Sequence, residues 1–293
     1  MKIAVALIAL LPLLSIEAQG GPVLDRIRSS GQIVIAHRDT SVPFSYLDGN
    51  GKPVGYAMDL CYRIAQSIQR NLGMKELRVA YKPVSSADRI TVIAEGRADI
   101  ECGSTTNNAE RRQKVAFTIP HYIAGSRIAV RSDMTETTLD QFDGRKLVST
   151  KGTTSLKKLQ DLVRERQLRI EVLEANDHAQ ALEMVRNRSA DGFIMDDVLL
   201  YGLIAASPRP DQLKVVGKFL TIEPLAMMMS KADPELKRIV DDEMRRMIFT
   251  MEAHAIYERW FNQPIPPKNA KLAIPMNYLL RDFWKFPSDF VPT

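Results

Sequence analysis

The sequence predicts an α/β fold with two lobes, each built on a doubly wound sheet. Short apolar segments with strand spacing alternate with longer segments of helical spacing from residue 23 onward, as in proteins with parallel sheets. The alternation pauses at a polar stretch over residues 132–138 and then starts again. The chain has 293 residues, which is enough for two domains of ordinary size.

The first 18 residues have the features of a cleavable secretory signal peptide. Lys2 supplies a positive charge, an apolar run extends from Ile3 to Leu14, and small and polar residues follow it. The run is shorter than the roughly 20 apolar residues that span a bilayer, and no cysteine follows it to carry a lipid anchor. We therefore expect an exported protein that is free in solution. A buried N-terminal helix is the alternative.

The first lobe is predicted from residues 19–128 and 226–293. Ser85 and Asp88 have the spacing of a capping box, which predicts that a helix starts there. The predicted elements are strands at 32–37, 77–83, 98–102, 122–131 and 225–230, and helices at 57–72, 85–96 and 234–261. A proline-rich extended tail follows the last of these helices.

The second lobe, residues 129–225, is predicted to be inserted into the first and joined to it by two strands. Its predicted elements are strands at 146–150, 169–174, 192–195 and 213–216, and helices at 154–167, 178–188 and after residue 195. In open α/β sheets, ligands bind outside the carboxyl ends of the strands. The cleft between the two sheets is therefore the predicted binding site.

Composition and motifs exclude several classes of function. The net charge is only +5 and the basic residues are spread along the chain, so nucleic acid is not an expected partner. The cysteines and histidines lack zinc spacing, and no phosphate-loop or dinucleotide motif occurs, so we expect neither metal nor cofactor. No nucleophile–base arrangement stands out. Cys61 and Cys102 are expected to be small buried residues, with a disulfide as the less favoured alternative.

One candidate ligand site lies around residues 99–112. A strand is predicted to end at Cys102, Gly103 to allow a tight turn, and Ser104, Thr105 and Thr106 to offer three hydroxyl groups in a row before a helix. Hydroxyls and free backbone N–H groups at such a turn suit a carboxylate. Arg111 could add a bidentate guanidinium. Simple N-capping with a solvated arginine explains the spacing equally well.

A second turn of the same kind lies in the second lobe. A strand passes through Gly152 into Thr153 and Thr154, which open a helix. Either turn alone could be ordinary capping. Two such turns facing one cleft are less easily explained by chance, so together they favour a ligand site.

Four further candidates lie at strand ends or helix starts. Arg38 follows the first strand, and Arg89 lies in the first turn of a helix, where a cation opposes the helix dipole. His178 also lies at a helix start, with a surface position as the favoured alternative. Asp196 ends a strand and could receive an ammonium group or simply cap the next helix.

The chain resembles the glutamate/aspartate-binding proteins of ABC importers, within the polar amino-acid solute-binding proteins. The resemblance covers residues 24–268. The segments that carry it are VIAHRDTSVPFSY at 34–46, ECGSTTNNAER at 101–111, GTTS at 152–155, Asp177-His178, MDD at 195–197 and NQPIPPKN at 262–269. The ECGSTTNN segment followed by ER is typical of the branch that binds acidic ligands.

The resemblance implies a type II periplasmic binding protein whose lobes, joined by a two-strand hinge, close on the ligand. It implies that Arg111, Ser104, Thr106 and Thr154 hold the α-carboxylate and that Asp196 receives the α-ammonium. Arg38, Arg89 and His178, with Ser86 nearby, would surround the side-chain carboxylate. The implied protein is a periplasmic monomer that delivers its ligand to a membrane permease.

Two other functions remain open at this point. Some secreted dehydratases of the cyclohexadienyl type share this architecture, and Glu101 is the acid–base residue nearest the predicted site. A periplasmic sensor subunit would bind the same ligand but report to a receptor. Three segments depart from the family pattern: the tail after Asn269, Cys61 and residues 223–226.

Overall fold

In a computed structural model, which describes residues 21–291, the chain forms two open sheets flanked by helices. The predicted signal peptide lies outside the described residues. The first sheet contains β1 (Gln32–His37), β5 (Arg78–Pro83), β6 (Ile100–Thr106), β7 (Ala116–Phe117), β8 (Tyr122–Ala124) and β14 (Glu223–Met229). The second contains β9 (Ser126–Arg131), β10 (Lys146–Thr150), β11 (Glu171–Ala175), β12 (Gly192–Asp196) and β13 (Leu213–Val216). A small third sheet contains β2 (Thr40–Ser41), β3 (Ser45–Leu47) and β4 (Pro53–Val54).

The sequence predicted parallel sheets, whereas both large sheets are mixed. In the first, β1 is parallel to β5 and β6, whereas β14 is antiparallel to β6, β7 and β8. In the second, β10 is parallel to β11 and β12, whereas β9 is antiparallel to β12 and β13. The antiparallel strands β9 and β14 are those by which the chain enters the second sheet and returns to the first. They arrive from the other lobe, so no right-handed crossover helix sets their direction.

The chain changes sheets at two places. The predicted strand 122–131 is divided at Gly125, because β8 pairs with β14 in the first sheet and β9 pairs with β12 in the second. The return lies between β13 and β14, and β14 begins at Glu223. The strand pairing favours points of crossing between the lobes that lie a few residues before the predicted bounds at 128 and 225. The lobe bounds themselves stay a prediction.

Helices cover the outer faces of the sheets. Around the first sheet lie α1 (Pro22–Ser30), α2 (Tyr56–Asn71), α3 (Arg89–Ala94), α4 (Ala109–Arg112), α8 (Pro234–Phe249), α9 (Glu252–Asn262) and α10 (Tyr278–Phe283). The second lobe has α5 (Thr154–Glu165), α6 (His178–Arg186) and α7 (Asp197–Ala206). Apolar residues at helical spacing give each long helix a buried face; in α2 they include Leu60, Ile64 and Ile68. Within residues 21–291, no helix combines the length and apolar character needed to cross a bilayer.

The predicted capping box forms, but the helix begins at Arg89 and not at residue 85 as predicted. Ser85 and Asp88 make the reciprocal bonds of the predicted capping box, with Ser85 N donating to Asp88 Oδ1 over 2.7 Å and Asp88 N donating to Ser85 Oγ over 3.2 Å. The single helix predicted at 234–261 was wrong. It is divided into α8 and α9 because Met251 adopts a left-handed backbone conformation with φ 63°.

The cysteines form a disulfide, so the expectation of two separate buried thiols was wrong. Cys61 on α2 and Cys102 on β6 have Cα atoms 6.2 Å apart and are bridged. The helix packs directly on this strand, which brings two residues separated by 41 positions together. The bridge ties α2 to β6 immediately before the hydroxyl-bearing residues of that strand.

Candidate functional site

A small cavity lies between the two lobes. Most of the residues predicted as ligand contacts line it. They are Arg89, Ser104 and Thr106 from the first lobe and Thr154, His178 and Asp196 from the second, together with Thr153, Met195 and Leu199. These side chains come from the carboxyl ends of β6 and β12 and from the starts of α3, α5 and α6, as expected for open α/β sheets.

Three predicted residues lie beside the cavity and not on its wall. Ser86 and Arg111 line an adjoining groove at the mouth of the cleft. Arg38 lies behind the cavity with 2% of its surface exposed. The structure therefore brings all nine predicted residues into one region. This region has three parts: the wall of the cavity, the groove at its mouth with Ser86 and Arg111, and a buried back around Arg38.

The hydroxyl groups of β6 are positioned by a strand and not by the predicted turn. β6 continues through Gly103 to Thr106, and α4 is capped by Asn108, whose side chain accepts from Arg111 N over 2.9 Å. Side chains alternate along a strand, so Ser104 and Thr106 face the cavity together. Capping does not account for these two hydroxyls.

Gly103 provides space where the sequence suggested a turn. A Cβ atom at this position would lie 2.3 Å from Glu101 Oε1 and 3.0 Å from Arg38 Cγ. These contacts are too short for a methyl group. The glycine therefore lets Glu101 and Arg38 approach each other beneath β6.

The back of the site is rich in buried positive charge. Arg38 and Arg89 are 2% and 3% exposed, and Arg38 Nε, Arg38 Nη1 and Arg89 Nε have no hydrogen-bond partner among the described residues. Burial, and then the charge of Arg89, lowers the pKa of Arg38 to about 9. Glu101 is fully buried next to them, and burial raises its pKa while the two arginines oppose that shift. Two arginines and one carboxylate give this buried cluster a net positive charge, which an anionic ligand group could balance.

His178 is buried beside these arginines and is not the surface residue that the sequence favoured. Its Nδ1 lies 2.8 Å from Thr150 Oγ1, while Asp177 caps α6 by accepting from Gln180 N. Burial, followed by the charges of Arg38 and Arg89, holds the pKa of His178 well below its usual range. A neutral imidazole bonded to a threonine at Nδ1 can donate a hydrogen bond from Nε2.

Asp196 supplies a buried carboxylate on the opposite wall. It is 4% exposed, its side chain makes no capping bond to α7, and Oδ1 has no partner among residues 21–291. Burial, and then the negative charges of Glu223 and Asp197, raises the pKa of Asp196 well above its usual range. A cationic ligand group placed here would offset both the burial and the repulsion.

Arg111 connects the lobes at the mouth of the cleft. Its Nη1 donates to Thr106 O over 3.0 Å and its Nη2 donates to Gly152 O over 3.1 Å. Burial lowers the pKa of Arg111 to about 10. Gly152 lies so close to the first lobe that a Cβ would be 2.6 Å from Ser86 O, and its φ of 74° also favours glycine.

Ser86 and Thr153 complete the mouth in different ways. Ser86 Oγ is buried and has no partner within the described part of the chain. Thr153 is the ordinary cap of α5, since its Oγ1 accepts from Leu156 N over 3.2 Å. The neighbouring Thr154 is therefore the one of the pair whose hydroxyl group does not cap the helix.

The roles of two acidic residues near the site, Glu223 and Glu101, were not predicted correctly from the sequence. Glu223, at the start of β14, is 3% exposed and accepts from Thr154 Oγ1 over 2.9 Å. Glu101 was considered only as a possible acid–base residue, whereas it accepts from Thr105 on the face of β6 away from Ser104. Among the described residues no group of three or more potential ligands could hold a metal ion.

Similar proteins in two bacteria are binding proteins. The chain is 36% identical over 279 residues, 95% of its length and 92% of the relative's, to the L-glutamate/L-aspartate-binding protein of Pseudomonas aeruginosa. It is 34% identical, over 92% of its length and 89% of the relative's, to the glutamate/aspartate import solute-binding protein of Escherichia coli. With 95% of the chain matched, part of the tail after Asn269 has a counterpart, contrary to the expectation from the sequence.

Solved structures with the same fold bind amino acids. A mutant of the arginine-binding protein of T. maritima superposes with a TM-score of 0.72 at 23% identity, covering 81% of this chain and 98% of that one. An ancestral amino acid-binding protein, a precursor of cyclohexadienyl dehydratase, superposes with a TM-score of 0.70 at 26% identity, covering 82% and 99%.

The model of a protein family matches residues 33–263, which includes both sheets and every residue proposed for the site. Together with the identity to the two curated relatives, this match shows that the chain belongs to the bacterial extracellular solute-binding proteins, family 3.

Proposed function

We propose that this protein binds glutamate or aspartate between its lobes and delivers the amino acid to an ABC importer in the membrane. The relatives in Pseudomonas aeruginosa and Escherichia coli carry names with this specificity, and the site has matching chemistry. The protein acts in the periplasm, as a monomer and without catalysing a reaction.

The observation that carries the acidic specificity is the back of the site. Arg38 and Arg89 are buried with guanidinium N–H groups that have no partner among residues 21–291. A carboxylate is the group that satisfies such donors and balances their charge at the same time. Together with His178, these arginines hold the side-chain carboxylate of the ligand, and Ser86 lies nearby at the mouth with a buried hydroxyl that can add a donor.

The other end of the ligand is an α-amino acid head group. Asp196 receives the ammonium, because its buried carboxylate needs a positive partner. Arg111, Ser104, Thr106 and Thr154 surround the α-carboxylate at the mouth. These residues come from both lobes, so a bound ligand bridges the lobes and favours the closed form.

The geometry argues against the dehydratase alternative. That reaction would need an acid–base residue aimed at the ligand. Glu101, the nearest candidate, is fully buried and accepts a hydrogen bond from Thr105 over 2.9 Å, beneath the strand that lines the cavity. It serves instead as a counter-ion of Arg38 and Arg89.

The proposal is tested by titration calorimetry on protein that has been unfolded, dialysed and refolded to remove bound amino acid. Glutamate or aspartate should bind tightly and glutamine much more weakly, because an amide can neither balance the charges of Arg38 and Arg89 nor accept from all their N–H groups. Equal affinity for glutamine would overturn the acidic specificity. Absence of heat with every amino acid would overturn amino-acid binding itself.

A further inference from the structure

The start of the return strand β14 places a buried carboxylate against the cavity wall. Glu223 is 3% exposed and lines the mouth of the cleft next to Arg111 and Thr154. Thr154 begins a helix of the second lobe, whereas β14 belongs to the first sheet, so the hydrogen bond from Thr154 Oγ1 to Glu223 Oε2, 2.9 Å long, crosses between the lobes.

This hydrogen bond fixes the direction of a short chain of hydroxyl groups. A threonine hydroxyl has one proton to donate, and Thr154 gives its proton to Glu223. Thr106 Oγ1 lies 3.2 Å from Thr154 Oγ1, so in that pair Thr106 must be the donor. The chain therefore runs from Thr106 to Thr154 to Glu223, and both hydroxyl protons are used within it.

The oxygen lone pairs of the same hydroxyl groups remain. Both threonines line the cavity, as does Asp196. The wall between them therefore presents acceptors, and acceptors suit an ammonium group and not a carboxylate. Two buried carboxylates also lie in this part of the site: the charge of Glu223 is one reason why the pKa of Asp196 is raised.

We propose that Glu223 is a positioning residue for the amino group of the ligand, which it serves by holding the hydroxyl protons of Thr154 and Thr106 away from the cavity. The ammonium then binds between Asp196 and the oxygens of these threonines. The α-carboxylate is left to Arg111, Ser104 and the backbone N–H groups of Thr154 and Ser155 at the start of α5, since the next N–H group, that of Leu156, donates to Thr153. This inference rests on the proposed function and reassigns two of its residues.

The test compares L-glutamate with glutarate, a dicarboxylate of the same length without an amino group, in wild type and in Glu223→Met, which removes both the charge and the oxygen that accepts from Thr154. Calorimetry should show a roughly tenfold or larger loss of affinity for glutamate in the variant, with glutarate unchanged or bound more tightly. The selectivity of the loss is informative, because a merely structural role of Glu223 would weaken both ligands alike.

Thr154→Val and Thr154→Ser provide a second route that leaves Glu223 in place. Valine removes the hydroxyl and should reproduce the selective loss of glutamate, whereas serine keeps the hydroxyl and should restore the affinity. Glu171→Met is the matched control, since Glu171 is an exposed residue on β11 and this substitution removes the same charge and the same carboxylate oxygens. It should leave both affinities unchanged.

The outcomes separate the two proposals. If wild type binds glutamate and Glu223→Met binds it more tightly, Glu223 competes with the α-carboxylate for Arg111 and the inference is overturned, while the proposed function stands. Equal losses for glutamate and glutarate, or no change for either, also overturn the inference alone. If wild type does not bind glutamate, both the inference and the function on which it rests are wrong.

Discussion

The two ends of the ligand cavity are built differently. At the back, Arg38, Arg89 and Glu101 come from the first lobe and are buried there, with His178 as the contribution of the second lobe. At the mouth, hydrogen bonds cross between the lobes: Arg111 donates to Gly152 O and Thr154 donates to Glu223. The back is thus largely assembled within one lobe, whereas the mouth exists only when the two lobes meet.

This difference implies separate roles for the two ends of the cavity: the back in the selection of the ligand and the mouth in the closure of the lobes. In the proposed binding mode, the ligand side chain at the back meets groups that are already in position, so the back should decide which amino acid is accepted. The head group at the mouth meets groups that are also the contacts between the lobes. Changes at the mouth should therefore affect every amino acid, and changes at the back should affect only amino acids with a second carboxylate.

The largest expected effect is at the mouth. Arg111→Ala removes a buried guanidinium that lies next to the head group and bonds both lobes, so binding of glutamate, aspartate and glutamine should all be lost. Truncation of one partner in a desolvated charge pair costs about 2–5 kcal/mol. Arg112→Ala is a neighbouring control, since Arg112 donates to Asn107 outside the cavity and should leave the dissociation constants unchanged. Calorimetric affinities within threefold of wild type for Arg111→Ala would contradict the assignment.

A smaller and selective effect is expected at the back. Arg89→Ala should weaken glutamate and aspartate by about 2–4 kcal/mol, because it removes a buried partner of the side-chain carboxylate. Glutamine, whose side chain carries no charge, should lose far less. Calorimetry with the three amino acids gives the ratio directly. A similar loss for all three would erase the distinction between back and mouth.

The sequence predicted the elements better than the contacts between them. Strands 146–150 and 213–216 have the predicted bounds, because their apolar residues and flanking turn residues are local signals. Gly103 was misinterpreted as a turn, since the reason for a glycine there lies in Arg38, which follows a neighbouring strand. The break between α8 and α9 was not predicted, because Met251, whose backbone is left-handed there, is neither a glycine nor a proline.

The same limit applies to the site. Arg89 and His178 were found because polar residues at helix starts are visible in the sequence, but their burial was not. The disulfide depends on α2 packing against β6, and the role of Glu223 depends on a threonine from the other lobe. Packing between distant segments decides such features, and hydrophobic periodicity contains no information about it.

The smallest expected effect concerns the pH dependence of stability. Burial lowers the pKa of His121, in the core of the first lobe, to about 3, and the pKa of His178 is also held well below its usual value near 6.5. Below pH 6.5 the unfolded chain takes up protons that these folded-state imidazoles do not. The stability that each provides is therefore complete above pH 6.5 and is lost as the pH falls, by roughly 1.4 kcal/mol for His121 at pH 5.5.

His121→Phe isolates one of these contributions. The ring packs against Phe44 and Tyr56, with the backbone of Gly103 as a nearby polar group, so phenylalanine should fit and remove the acid sensitivity. Because the raised pKa of Asp196 acts with the opposite sign, the informative quantity is the difference in unfolding free energy between variant and wild type. Measured by urea unfolding, this difference should grow by about 1.4 kcal/mol between pH 7.5 and pH 5.5. A difference that does not change with pH would mean that His121 takes up its proton in the folded protein, and the acid sensitivity would then have to come from His178 at the back of the cavity.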